Sequence, residues 1–369
     1  MADNKENKVL NVPALRFPEF TEEWNYESLD TIAPNITSGR SKPSLGEYNL
    51  YGSTGIIGKT ATADYSGDML LVARVGANAG SLQLVNDSCG ITDNTLIIKS
   101  CKLSSHYLYF YLQHYNLNRL VFGSGQPLIT AGMLKKVRIP FGNQLEQKKI
   151  ENFLCCIDER ITTQNKIIEK LETLIKGIVE LAFSHAATSN TLGCYITQIS
   201  QRNKTGKDLP VLSVSNKHGF VEQSEQFEDR IIASDDTSNY KIVDINDFAY
   251  NPARINVGSI ARLKDKECGI VSPMYICFRT SKDILPEYLE LFFKTVTFSF
   301  EVGKRLEGSV RLCLSYESLC EIVIPIISIR EQQSLVKMVT TFHSKLDVEK
   351  GFLSSYQSQK QCLLSQMFI

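Results

Sequence analysis

The 369-residue sequence predicts an α+β fold: two similar globular domains separated by two long antiparallel coiled-coil helices, with a pseudo-two-fold internal repeat. Three features carry that prediction. The first is a duplication. Gly123-Ser124, Leu134, Ile139-Pro140 and Glu146-Gln147 recur as Gly308-Ser309, Leu319, Ile324-Pro325 and Glu331-Gln332, always 185 residues on. A repeat of this length implies two copies of one domain related by an approximate two-fold axis. The second is a heptad pattern after each copy. Ile150, Ile157, Gln164, Leu171 and Ile178 interleave with Leu154, Ile161, Ile168, Ile175 and Ala182, which is the a/d seam of a coiled coil. Leu335, Phe342, Glu349, Tyr356 and Leu363 interleave in the same way with Val339, Leu346, Leu353, Lys360 and Met367. The third is a set of short, glycine-punctuated apolar runs inside each copy, which read as strands.

In chain order, residues 1–142 form the first globular domain. It holds strands at 69–73, 81–85 and 95–98, a helix at 105–120 and a closing strand at 134–140. Residues 143–183 contain no proline and one glycine, and form the central helix. Residues 184–328 are the second domain, with strands at 211–214, 248–250 and 270–278, a helix at 286–300 and a closing strand at 319–326. Residues 329–369 form the distal helix. A helix of some forty residues is ~55–60 Å long at ~1.5 Å per residue. The few residues at 185–190 span ~20 Å at most. The second domain is therefore expected at the far end of the central helix, with the distal helix running back.

Composition narrows the function. Forty basic and forty acidic residues leave a formal net charge of zero, which argues against bulk electrostatic capture of nucleic acid but not against local basic loops. No apolar run approaches the ~20 residues of a membrane span. The polar start lacks the apolar core of a secretory signal. Ten scattered cysteines without metal-ligand spacing read as reduced thiols of a cytoplasmic protein.

Two glycine-rich turns stand out. Arg74-Val75-Gly76-Ala77-Asn78-Ala79-Gly80 follows a strand in the first domain, and Arg254-Ile255-Asn256-Val257-Gly258-Ser259 sits at a comparable place in the second. Arg and Asn are the side chains that pair bidentately with guanine and adenine edges, so Arg74, Asn78, Arg254 and Asn256 are candidate DNA contacts. Other polar loops add Arg40, Lys42, Ser53 and Thr54 in the first domain, and Ser215, Asn216, Lys217 and Arg311 in the second. Each of these alone also reads as a solvated loop. No catalytic constellation or metal motif appears. Asn251-Pro252-Ala253-Arg254 lacks the second proline and the aromatic of an amino-methyltransferase motif, which counts against a self-contained DNA methyltransferase. A coiled-coil scaffold without a DNA role is the other alternative. Unlike loops on similar heads count against it.

The opening run from Val12-Pro13-Ala14-Leu15-Arg16-Phe17-Pro18 to Trp24 resembles the start of specificity (S) subunits of Type I restriction-modification systems. Ile139-Pro140 with Gln144-Leu145-Glu146-Gln147 is similar to the entry to that family's central helix, and Ile324-Pro325 with Arg330-Glu331-Gln332-Gln333 to the entry to its distal one. Leu363-Leu364-Ser365-Gln366-Met367-Phe368 resembles the family's C-terminus, and the 51–58 and 251–258 stretches resemble variants of its target-recognition domains. The resemblance implies two target-recognition domains on a helical spacer, each reading one half of a bipartite, asymmetric double-stranded DNA target. It implies a non-catalytic subunit that assembles with two methyltransferase (M) subunits, and with restriction (R) subunits for cleavage. S-adenosylmethionine, ATP and magnesium would then belong to the partners.

Overall fold

The computed structural model describes residues 11–121, 127–184, 188–216, 218–223, 237–308 and 311–369. The chain divides into two compact units, one of Met1–Lys166 with Lys350–Ile369, the other of Ile167–Glu349.

The head of the first unit contains β1 (Asn25–Ser28), α1 (Leu29–Ile32), β2 (Thr37–Ser38), β3 (Tyr48–Gly52), β4 (Gly55–Thr60), β5 (Tyr65–Ala73), β6 (Leu82–Ile91), β7 (Thr95–Ile98), α2 (Ser105–Tyr115), α3 (Ala131–Lys135) and β8 (Arg138–Phe141). Six strands form one sheet in the order β2-β7-β5-β6-β3-β4. All neighbours are antiparallel except β3 and β6. Met69 to Ala73 in β5 are five consecutive buried residues, as a central strand covered on both faces requires. The helix expected at 105–120 stops at Asn116, whose φ of 56° is left-handed, and continues only as a 3-10 turn over Leu117–Leu120. The closing run is likewise divided. Thr130 caps α3 through Met133 N, and the strand proper begins at Arg138.

The second head contains β9 (Thr188–Thr191), β10 (Ile196–Ile199), β11 (Val211–Ser215), β12 (Gly219–Glu222), β13 (Lys241–Asp244), β14 (Phe248–Tyr250), β15 (Ile260–Arg262), β16 (Cys268–Val271), β17 (Ile276–Thr280), α5 (Pro286–Phe292), α6 (Val296–Arg305), α7 (Tyr316–Cys320) and β18 (Val323–Ile326). Eight of these strands make two four-stranded sheets, β10-β17-β14-β15 and β12-β11-β16-β13, and β9 pairs with β18. The run expected as one strand at 270–278 is two, because a turn at 272–275 divides β16 from β17. The helix expected at 286–300 is also two, since Thr295 starts a new one by capping Phe298 N.

The repeat survives as geometry. Tyr26 of β1 lies opposite Pro140 of β8, and Ser189 of β9 lies opposite Pro325 of β18. The hydroxyl of buried Tyr107 donates to the Pro140 carbonyl at 2.9 Å, and that of Tyr288 to the Pro325 carbonyl at 2.8 Å. Gln147 Nε2 donates to the Gly142 carbonyl and Gln332 Nε2 to the Ile327 carbonyl, each at 2.9 Å. The Gly123-Ser124 and Ser309 members of the duplication lie outside the described residues.

The long helices are α4 (Gln144–Ser184) and α8 (Ile329–Met367). Ile150, Leu154, Ile157, Gln164, Ile168, Leu171 and Ile175 are buried, as the heptads require. After Ile175 the stripe leaves the heptad. Val179 and Phe183 are buried in place of Ile178 and Ala182, because this end of α4 packs on α5 rather than following a coiled-coil seam. In the first unit, Asp158 pairs with Lys360 at 2.6 Å, while Ile150 and Leu154 share a core with Leu364 and Phe368. Rising along α4 there is descending along α8, so the two stretches are antiparallel. Lys360 also lies over the Tyr109 and Phe110 rings, which explains a cation at a seam position.

Candidate nucleic-acid interface

In the first head, the turn between β6 and β7 gathers the loops. Ser41 N donates to the Ile91 carbonyl at 2.9 Å and Gly39 N to the Thr95 carbonyl at 3.0 Å, which leaves Arg40 exposed between them. A Cβ on Gly39 would lie 2.2 Å from the Ile91 carbonyl oxygen, so glycine alone lets the segment approach this closely. Thr92 N donates to the Tyr51 carbonyl at 3.0 Å and ties in the β3–β4 hairpin, whose turn is Ser53-Thr54. Arg74 N donates to the Asn94 carbonyl at 2.9 Å and begins the glycine-rich loop. That loop is pinned from behind by Gly76 N to the Pro127 carbonyl at 3.1 Å and Ile129 N to the Arg74 carbonyl at 2.9 Å.

Arg40, Ser53, Thr54 and Arg74 thus belong to loops that meet at one turn. Asn78 is exposed farther along its loop, and Lys42 is exposed one residue beyond Ser41. The Ser41 hydroxyl bonds to Asp64 and, with Thr62, holds that carboxyl below the ordinary carboxylate range. The Arg74 guanidinium is half-buried and its Nε has no acceptor among the described residues, whereas Arg40 is exposed.

In the second head the contacts join the β11–β12 turn to the glycine-rich turn after β14. Asn216, in the β11–β12 turn, packs against Gly258, where a Cβ would meet the Asn216 Cβ at 3.7 Å. The Ser259 hydroxyl donates to the Val214 carbonyl at 3.2 Å and locks the two turns together. Arg254 and Asn256 are exposed on this glycine-rich turn. Leu314 N donates to the Pro252 carbonyl at 3.1 Å, Glu307 and Cys313 pair as an isolated bridge, and Arg311 is exposed. Ser215 is half-buried at the end of β11. Lys217 lies outside the described residues. A cleft of about 560 Å³ opens beside these turns, floored by Phe248 and Phe293 and rimmed by Lys264, Lys266 and Lys294. Glu290 lies within it. Burial would raise its carboxyl, but Lys264, Lys294 and Arg262 hold it below the usual range.

The two arginines singled out by sequence are not equivalent. Arg74 is the first residue after β5, whereas Arg254 is four beyond the end of β14. The carbonyl that accepts from the closing segment is that of Arg74 in one head and of Pro252 in the other. Similar composition was mistaken for matching position because the turns differ in length.

The turn tips themselves, Asp93-Asn94 and Pro273-Met274, are all exposed and are not among the residues singled out by loop composition. A signal was present: Cys89-Gly90-Ile91 recurs as Cys268-Gly269-Ile270 just before each turn. Both glycines lie under a leucine of the neighbouring parallel strand. A Cβ at Gly90 would meet Leu50 Cδ1 at 3.0 Å, and one at Gly269 would meet Leu212 Cδ1 at 2.4 Å.

Among the described residues no cluster of His, Cys, Asp and Glu fit for a metal occurs, and no helix is long and apolar enough to cross a membrane. Residues 9–173 match the family described as the Type I restriction modification DNA specificity domain. The match covers the first head and most of α4. The loops of the first head lie within that match, and those of the second head lie beyond it. The chain shares its fold with the S subunit of a Type I restriction-modification system from M. genitalium, at TM-score 0.60 and 19% identity over 97% of this chain and 99% of that one. It also resembles a chain from a structure titled for complex assembly and conformational transition of the Type I R-M system, at TM-score 0.55 and 14% identity over 94% and 97% of the two chains. No match was found among curated proteins.

Proposed function

We propose that this protein is the non-catalytic specificity subunit of a Type I restriction-modification complex, in which each head reads one half of a bipartite DNA target. The observation that carries this reading is one scaffold built twice with different surface loops. β1 with β8 and β9 with β18 keep the same register, as do the Tyr-to-Pro hydrogen bonds, while the turns above them differ in length and chemistry. In the first head Arg40, Lys42, Ser53, Thr54, Arg74 and Asn78 contact DNA. In the second, Ser215, Asn216, Lys217, Arg254, Asn256 and Arg311 do so. Two methyltransferase subunits supply S-adenosylmethionine chemistry on adenine, and restriction subunits supply ATP- and magnesium-dependent cleavage. The match to the specificity domain supports the DNA partner and the complex. The test is to exchange residues 184–328 for the corresponding region of a relative with a different target, and to sequence methylated motifs in cells that also express the methyltransferase partner. One half-site is expected to change while the other stays. Change in both halves would overturn independent reading.

A further inference from the structure

We propose that the two turn tips, Asp93-Asn94 and Pro273-Met274, are base-reading elements of opposite chemistry. The first reads an amino-bearing base by hydrogen bonds, and the second reads a thymine methyl by apolar contact. This rests on the reading of each head as a DNA reader and specifies how each reads.

Both turns have the same construction. Thr95 N donates to the Thr92 carbonyl at 3.2 Å, and Tyr275 N to the Ser272 carbonyl at 3.1 Å, so each is a tight turn with two residues at its tip. Each follows the Cys-Gly-Ile strand end that passes beneath the parallel neighbour, β3 in one head and β11 in the other. Neighbouring elements also hold both. Asn94 is fixed by Arg74 N through its carbonyl, while the Tyr275 carbonyl accepts from Lys241 Nζ at 2.6 Å and its hydroxyl from Val214 N at 3.3 Å. A rigid backbone bearing free side chains is what preorganised recognition needs.

The tips differ in what they offer. The Asp93 and Asn94 side chains are exposed and have no hydrogen-bond or ion-pair partner among the described residues. An Asn amide donates to N7 and accepts from the N6 amino group of adenine, and a carboxylate accepts from the amino group of cytosine. A carboxylate also repels phosphate, so Asp93 favours a seat on a base edge and discriminates against bases lacking an amino group there. In the second head, Pro273 has no N–H, and Met274, 58% exposed, has only its polarisable thioether chain. Such a tip gains nothing from base-edge hydrogen bonds. The thymine methyl is the apolar feature of the major groove that it fits.

The experiment uses the full chain with its methyltransferase partner, on duplexes carrying the motif read from the methylome. N94A and N94D should weaken binding about tenfold to a hundredfold, the range of one good bidentate pair. They should relax one position of the first half-site and leave the second unchanged. M274A should alter only the second half-site. Replacing thymine by uracil there should weaken the wild type and leave M274A unaffected. All substituted side chains are exposed, and thermal melts unchanged from wild type are expected. If N94A, N94D and M274A keep wild-type affinity and the same methylated motif, the proposal is wrong, while a domain exchange that still moves one half-site would leave the two-reader function standing. If uracil weakens wild type and M274A equally, the methyl contact is not made by Met274.

Discussion

The two heads repeat one pairing scheme but differ in how the sheet is carried through. In the first, β5 runs unbroken for nine residues and six of the eight strands form one sheet. In the second, the corresponding path is cut into β13 and β14, and the sheet becomes two of four strands. The cut falls at Asn246, whose φ is 72°. It is stabilised by fully buried Asp247, whose carboxylate accepts from Asp244 N at 2.8 Å and from Arg279 at 2.6 and 2.7 Å. The helix entries diverge similarly. Asn143 Oδ1 caps α4 by accepting from Glu146 N, which leaves the Glu146 carboxylate, fully buried, to take a bidentate bond from Arg16 at 2.7 and 2.9 Å. At the equivalent place Glu331 stays exposed and closes a capping box with Ser328. The Tyr-to-Pro and Gln-to-carbonyl bonds at the two helix entries are kept. The sheet path and the helix caps around them are rebuilt.

The largest expected effects test the aromatic sockets at the helix ends. Phe368 packs on Trp24, Tyr107, Tyr111 and His114, whereas Phe183 packs on Tyr288 and Phe292. Phe368→Ala should cost about 3–5 kcal/mol, with Phe183→Ala toward the lower end of that range. Hydrogen exchange should rise in α2 for the first variant and in α5 for the second. A reversed ranking would show that the number of ring partners does not set the cost.

Arg16→Ala leaves a buried carboxylate unpaired and should also cost about 3–5 kcal/mol. Adding Glu146→Gln should recover part of the loss, a coupling that denaturant melts of the single and double variants would read. Glu331→Ala should lose far less, because that carboxylate is in water.

For DNA binding, Arg254→Ala should cost about 1–3 kcal/mol if it reads a guanine. Arg74→Ala should have the smaller effect, because that guanidinium is half-buried. Affinity titrations at two salt concentrations separate base reading from phosphate contact, which alone lowers the salt slope. Equal losses would restore the equivalence of the two arginines.

Tyr107→Phe and Tyr288→Phe should each cost about 1–2 kcal/mol, because each strands one proline carbonyl. Unequal losses would show that the shared geometry hides different surroundings. The smallest effect is pH-dependent. Bonds from Ser328 hold the Glu331 carboxyl below its ordinary range. A depressed carboxylate stabilises the fold above its unfolded pKa, and that contribution disappears as pH falls through the folded one. Ser328→Ala should therefore flatten the acid limb of the melting curve slightly.

The heptads were legible in the sequence because periodicity is a property of neighbours along one helix. Leu335, Val339 and Leu346 are buried where the spacing puts them. The duplication, too, was legible, since Ile139-Pro140 and Gln147 recur as letters before they recur as hydrogen bonds. Loop composition pointed to Arg40, Ser53 and Arg74. What the letters did not hold was which loops meet. Ser41 reaches Ile91, Thr92 reaches Tyr51 and Arg74 reaches Asn94 only because the strands between them pair in one register. The split of the second sheet depends on a buried aspartate finding an arginine 32 residues away. The exit of α4 from its heptad at Val179 and Phe183 depends on the rings of α5. Local spacing decides which faces of an element are apolar. Contacts between residues far apart in the chain decide where those faces go, and therefore which side chains converge on the β6–β7 turn.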